Sequence, residues 1–573
     1  LLKQAARNGG FEDRNGNFVP DLEVEYDRDG DGNPDTYFEA PDGQRLAESL
    51  SAAIIDILRR TSSGTAVSIL STSAHGEGSL FQAYFKPEEL NFMGGQSART
   101  DWLGFLQGLW VDDRGNLRED NGDFKLVYEE DDIIRFYFEE EVGTRIKRDH
   151  VSSDNPYGDG NWEETNVSLS DMRSLFEAGK KLALRDISAS PRKIYTSLDG
   201  ANLVDLDPFN AAAFKDYLRV PTAGEAEDVI RHTLGEDLPG MRKRQVFLDT
   251  DGDTVPDTEG VWRLGDIIYS TPAVVSRPME NYDEIYSDPT YDEFETRYAR
   301  GPNPGSFQPR PTVVYVGAND GMLHAFNAGV HMPGDDNATG SPEHGRYTEV
   351  DYPSYYTTAL GYSPQRGEEI WSYVPRNLLP HLRWLTSTGY SHVYYVDLKP
   401  KIADVRIFSP DATHPGGWGT VLIGGLRLGG GTYQVDDFNQ DGTMDDPEVF
   451  SSCYFALDIT NPGAPALLWE FNSPNDLGFS ASYPGVARVG HGDDPGDWYV
   501  VFGSGPTNYE GTSDQPASIY VLDLKTGALV EQFSGAPLQT NSFMGGVSTL
   551  DFNLDYQTNA IYVGRVEGGV PRT

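Results

Sequence analysis

The chain has 573 residues, with 45 Lys and Arg against 89 Asp and Glu, a net charge of −44, 62 Gly, 36 Pro and one cysteine. That length requires two or more domains, or one large β architecture carrying insertions. So negative a field excludes nucleic acid as a partner, because Lys and Arg contacts to phosphate supply most of that affinity. The lone Cys453 excludes an intrachain disulfide framework and a cysteine zinc cluster. No apolar run approaches the roughly 18 residues that a transmembrane helix needs. The chain opens on Leu1 without an initiator Met, so a piece of a longer protein is expected.

Most of the carboxylates read as solvated surface, but five windows space them as cages. Oxygen side chains at loop positions 1, 3 and 5, a carbonyl at 7 and an oxygen at 9 wrap a calcium-sized cation. Gly at position 6 allows the sharp turn, and Glu at 12 closes the shell. The first window, Asp13, Asn15, Asn17, Val19 and Asp21, has Phe18 at the turn. The second, Asp27, Asp29, Asp31, Asn33 and Asp35, has Gly32 there but Phe38 where the closing acid would be. An amphipathic helix is expected over 44–60, strands over 64–85 and 124–139, and a helix over 170–185 with Ser170 as its N-cap. Two more helices are expected over 207–219 and 223–234, which makes 62–245 a mixed α/β connecting region.

The third window, Asp249, Asp251, Asp253, Val255 and Asp257, carries Thr254 at the turn. From about Leu264 the text turns repetitive: an apolar strand, a Gly-rich turn, a strand often ending in Asp, a turn, and a strand with an aromatic. This unit is written at 312–374, 420–471 and 498–533, and begins again at 561. It predicts a mainly β fold, a β-propeller over 246–573 that is incomplete at its C-terminus and has uneven insertions between blades. The fourth window fulfils the whole pattern: Asp437, Asn439, Asp441, Thr443, Asp445 and Glu448, with Gly442 at the turn. The fifth, Asp551, Asn553, Asp555, Gln557 and Asn559, has Tyr556 at the turn. Each window reads either as a calcium loop or as an Asx-rich turn, since Asp, Asn and Gly are common turn formers. Clustered carboxylates repel one another unless a cation joins them, which favours calcium as the cofactor. Two Tyr-rich stretches, 282–298 and 352–362, read as loops packing rings over blade edges or as an adhesive surface. His324 reads as a packing or hydrogen-bonding residue.

At Tyr315-Val-Gly-Ala-Asn-Asp-Gly-Met-Leu-His-Ala-Phe326, Gly265-Asp-Ile-Ile-Tyr-Ser-Thr-Pro272, Glu177-Ala-Gly-Lys-Lys-Leu-Ala183 and Arg192-Lys-Ile-Tyr-Thr196 the chain resembles the PilY/PilC family of type IV pilus proteins. The resemblance implies a modified C-terminal propeller with a calcium loop on one blade, which would be the 551 window. Here Asn559 stands where Asp is usual and Tyr556 where Gly is usual. It further implies control of pilus extension, surface adhesion, minor pilins as partners, and an extracellular place at the pilus tip reached through the periplasm. Residues 1–61 resemble the closing part of a von Willebrand A domain with a calcium-loop insertion. The blades also resemble those of quinoprotein dehydrogenases, the enzymatic alternative, but Cys453 alone cannot supply their vicinal disulfide. The expectation is therefore a non-enzymatic, calcium-binding protein of the pilus, or a purely structural extracellular cap.

Overall fold

A computed structural model of the chain describes residues 67–71, 78–139, 143–250, 255–278, 280–300, 308–335, 341–490, 495–534 and 542–567. The expected helix at 44–60, the windows at 13 and 27 and the A-domain resemblance lie outside these residues. Two compact units are distinguished, 1–63 with 137–145 and 64–136 with 146–573. The repetitive β segment from 264 onward belongs to the second. Among the described residues no helix is long and apolar enough to cross a membrane.

The connecting region is more β than expected. An eight-stranded sheet is organised around one long hairpin, Gly78–Met93 paired with Gln96–Val111. Its inner half is apolar on both faces: Leu80, Phe81, Tyr84, Leu103, Phe105, Leu106, Leu109 and Trp110 are buried. The 170–185 helix is shorter than the periodicity suggests. Met172, Leu175 and Phe176 are buried at helical spacing, but Phe176–Glu177 is a strand paired to Gln107 and Gly108. The helix proper is Ala178–Leu184, and its N-cap is Glu177, whose carboxylate accepts from the amides of Gly179 and Lys180. Over 124–139 only Ile133–Glu139 is strand, and over 207–219 only a 3-10 turn and Ala211–Phe214 are helical. The last helix is as expected, Ala223–Leu234. Thr222 and Glu225 form a reciprocal capping box at its start, and Gly235 closes it at φ 104°.

Three blades come next along the chain. The first holds Ala273–Val275, Thr312–Gly317, Leu323–Pro333 and Glu369–Tyr373, and Ile194–Thr196 from the connecting region adds to its edge in parallel. The second is Lys401–Val405, Gly419–Gly425, Cys453–Asp458 and Ala466–Asn472; the third is Gly485–Val489, Asp497–Gly503, Ile519–Asp523 and Leu529–Phe533. A hairpin, Ser542–Leu550 with Ala560–Glu567, comes after them. Central strands read as unbroken apolar runs because both faces are covered: every residue of Thr312–Gly317 and Gly419–Gly425 is buried. The aromatic of the fourth strand docks into the next blade or its approach. The Trp371 indole N–H donates to the Pro462 carbonyl at 2.8 Å, and that of Trp469 to the Leu524 carbonyl at 2.9 Å. In the turn that receives Trp469, Asp523 accepts from the Thr526 amide and hydroxyl. Gly527, at φ 69°, leaves room for the indole, which a Cβ would meet at 2.4 Å.

The string at 315–326 has a physical role. Asp320 and His324, both from it, join Glu369 and Arg192 in one buried chain. His324 shares its Nδ1 with Glu369 at 2.7 Å and its Nε2 with Asp320 at 3.1 Å. Arg192 grips Glu369 by two bonds, 2.7 and 2.8 Å. Burial alone would lower the His324 pKa, but Asp320 and Glu369 outweigh it and push it up to about 9. Glu369, which burial would raise, is held well below the usual carboxylate range by Arg192 and His324. The hydrogen-bonding reading of His324 holds. The Tyr-rich 282–298 stretch is not an adhesive loop. It forms the helices Tyr282–Tyr286 and Pro289–Arg300, with Tyr291, Phe294 and Tyr298 buried against Trp418 and the second blade. In the second stretch Tyr352 and Tyr356 are buried and bond to Asn327, while Tyr362 is exposed.

Candidate metal centre

The 437 loop connects two short strands, Tyr433–Val435 and Glu448–Phe450, in an insertion within the second blade. Its first carboxylate organises it: Asp437 accepts from the amides of Asp441 and Gly442, both at 3.0 Å. Asp441 accepts from the Thr443 amide at 2.8 Å and the Thr443 hydroxyl at 2.5 Å, and these bonds lower its pKa. Thr443 also donates to Asp445 at 2.9 Å. Two residues fold it back sharply, Gln440 at φ 58° and Gly442 at φ 90°. The residue gathering the opening amides is Asp446, which accepts from Phe438 at 2.9 Å and Asn439 at 2.7 Å. Sequence reading passed over Asp446; the doublet Asp445-Asp446 was the available signal. Glu448, expected to close the shell, lies in a strand and pairs with Arg376 at 3.0 Å.

The 551 loop, in the final hairpin, repeats this design with other residues. Asp551 accepts from the amides of Asp555 at 3.3 Å and Tyr556 at 2.9 Å, and Asp555 accepts from the Gln557 amide at 3.0 Å. Asn559 takes the place of Asp446, accepting from Phe552 at 3.0 Å and Asn553 at 3.4 Å. The left-handed residues fall at the same two places, Leu554 at φ 55° and Tyr556 at φ 70°. A Tyr in that conformation is costly, and its ring shows what offsets the cost. Tyr556 is buried, stacks on Tyr286 at 4.1 Å, lies under the Arg488 guanidinium at 3.9 Å and donates to Asp288 at 3.3 Å. Tyr556→Gly is therefore expected to destabilise the protein by about 2–4 kcal/mol. Loss of a buried ring costs about 3–5 kcal/mol, and relief of the backbone returns roughly 1 kcal/mol. Urea unfolding measures it, and a stabilised variant would show that the ring does not hold the loop.

Both loops join segments distant in sequence. Arg219 donates to the Asp437 carbonyl at 3.3 Å, Gln440 donates to Asp216 at 3.0 Å, and Phe438 packs on Tyr217 at 4.9 Å. The 551 loop ties the final hairpin to the third blade, where Thr558 donates its amide to the Arg488 carbonyl at 2.8 Å, and through Tyr556 to the helices at 282–300. The 249 window sits in the turn between Gln245–Leu248 and Thr258–Val261, where Asp257 accepts from the Thr250 hydroxyl at 2.9 Å. Its Asp251 and Asp253 lie outside the described residues.

Asx turns alone do not distinguish these loops. Asp112 also accepts two loop amides, from Arg114 and Asn116, but its second oxygen is taken by the buried Arg118 at 2.9 Å. Among the described residues, no Lys or Arg pairs with Asp437, Asp441, Asp445, Asp446, Asp551 or Asp555. Nor does any group of three or more His, Cys, Asp and Glu side chains there converge as a ready ligand set. The carboxylates are turned to their own amides. The donor set nevertheless suits a hard cation in its chemistry: side-chain oxygens alternate along each loop, with left-handed residues at the fourth and sixth positions.

Three successive sheets, each built on four antiparallel strands and the first widened by further strands, with indole contacts from one to the next, define a β-propeller protein. The family model described as the PilY1 beta-propeller domain matches residues 264–572, more than half of the chain. The chain belongs to the PilY1 family. It is 28% identical over 392 residues to the type IV pilus biogenesis factor PilY1 of Pseudomonas aeruginosa PAO1, covering 62% of this chain and 26% of that protein. It is 30% identical over 394 residues to PilY1 of strain UCBPP-PA14, covering 66% and 25%. A PilY1 homolog of Xylella fastidiosa is 27% identical over 381 residues, covering 63% and 24%. The chain thus spans about a quarter of the length of these relatives. The crystal structure of the P. aeruginosa PilY1 C-terminal domain is 25% identical, covers 52% of this chain and 44% of that one, and superposes with a TM-score of 0.31.

Proposed function

We propose that this chain is a calcium-clipped segment of a type IV pilus biogenesis factor, acting by binding and assembly and not by catalysis. The observation that carries the reading is the pair of loops whose clustered carboxylates have no Lys or Arg counter-ion among the described residues. Asp437, Asn439, Asp441, Asp445 or Asp446, with the Thr443 carbonyl, would hold one ion. Asp551, Asn553, Asp555 and Asn559, with the Gln557 carbonyl, would hold a second. Calcium supplies charge neutralisation there, and the loops transmit it because each fastens two distant segments. The relatives' names place them in pilus biogenesis. By the same likeness we read this protein as an extracellular adhesin at the pilus tip that works with minor pilins.

Cells producing this protein with Asp437→Asn and Asp551→Asn together are expected to carry several-fold fewer surface pili than the unsubstituted strain at equal protein level. Electron microscopy counts them. Unchanged pilus number with calcium binding abolished would sever calcium from the pilus role.

A further inference from the structure

A second site lies away from the acidic loops. Where the long strand Gln96–Val111 meets the start of the first blade, a small cleft of about 50 Å³ opens. The backbones touch closely there: a Cβ on Gly104 would meet the Gly265 carbonyl oxygen at 1.8 Å. At roughly 10–15 Å³ for each water by that measure, the space admits a few waters or one small polar group. Arg242 and Arg244 line it side by side, with Trp102, Trp262 and Tyr390 as walls.

The two guanidiniums are held by carbonyls. Arg244 donates to the carbonyls of Trp262 at 2.6 Å, Asp101 at 3.1 Å, Trp102 at 2.9 Å and Leu264 at 3.2 Å. Arg242 makes one such bond, to Asp101 at 3.2 Å, and lies over the Tyr390 ring at 4.0 Å. That leaves several Arg242 donors and one Arg244 donor uncommitted. Among the described residues neither forms an ion pair, whereas the buried Arg118 and Arg192 are matched by Asp112 and Glu369. The nearby acids are engaged elsewhere. Asp266 accepts from Asn319 and His392, Asp320 from His324 and the Gly265 amide, and Glu236 from Arg231. Asp237 accepts only a backbone amide, that of Arg244 at 3.4 Å, and Asp101 lies 3.9 Å from Arg99. Burial, and then the charge of Arg242, lowers the Arg244 pKa to about 10, although Asp320 and Asp266 partly offset them.

We propose that this cleft binds a small carboxylate, its anion on the free donors of Arg242 and Arg244. A guanidinium fork matches a carboxylate, and desolvated arginines gain most from one. A small organic acid and the C-terminal carboxylate of a peptide share this chemistry. Calorimetry on the full chain separates them, using acetate and N-acetylglycine as probes, each beside its neutral amide. At least one carboxylate is expected to bind at least tenfold tighter than its amide, and Arg242→Gln to weaken it at least tenfold. Arg242→Gln removes one hydrogen bond and the Tyr390 ring contact but also the charge beside Arg244, so unliganded stability is expected to change little. If that variant does not fold, the acid–amide pairs on the unsubstituted chain decide alone. No heat with either carboxylate, or equal binding of acid and amide, would overturn the proposal.

Discussion

His324→Ala is expected to lower the folding free energy by about 3–5 kcal/mol. The side chain is fully buried and stands between two carboxylates, Asp320 and Glu369. Removing it leaves Asp320 without its cation and Glu369 with Arg192 alone. The same residue gives a pH signature. Its folded pKa, about 9, lies above the ordinary 6.5, so its contribution is complete below pH 6.5 and is lost as pH rises through about 9. Asp131 acts in the same direction. Burial, reinforced by the charge of Asp120, raises its pKa from 3.8 to about 8, so its contribution is also lost as pH climbs through that value. Urea unfolding between pH 6 and pH 9.5 should show falling stability in the unsubstituted chain and a shallower fall in His324→Ala. Identical slopes would show that His324 does not set the pH dependence.

On the proposed calcium reading, withdrawing calcium is expected to be the second large effect. A ligand that binds only the folded state stabilises it by about 2.7 kcal/mol at a hundredfold excess over its Kd. Two occupied loops therefore stand for about 5 kcal/mol. Chelation is expected to lower the melting temperature by several degrees and to expose the segments the loops fasten, 211–220 and 280–290, to protease first. A melting curve unmoved by excess chelator would contradict this. Cleavage beginning elsewhere would show that the loops do not clip those segments.

Blade strands were readable from the sequence because each is a local pattern: an apolar run, a turn Asp, a Gly beside an indole. The tight turns of the 437 and 551 loops were readable for the same reason, since their Asp and Asn spacing lies within a dozen residues. What escaped depends on distant partners. Gln96–Val111 is interrupted by Arg99, Thr100 and Asp101 and shows no strand period, yet it pairs with Gly78–Met93 along its length. Residues 170–177 carry a helical stripe because Met172, Leu175 and Phe176 fill a core, but Gly108 captures Phe176 as a strand. Tyr556 looked wrong for a tight turn, and only the distant Tyr286, Asp288 and Arg488 explain it. Glu448 matched a motif position and instead answers Arg376, 72 residues away.

Whether the acidic loops hold metal is decided by native mass spectrometry of the chain in calcium, with Asp437→Ala and Asp551→Ala measured beside it. At least two bound ions are expected in the unsubstituted protein, one fewer in each variant and two fewer in the double variant. A metal-free unsubstituted protein, or a stoichiometry that neither substitution changes, would contradict calcium clipping.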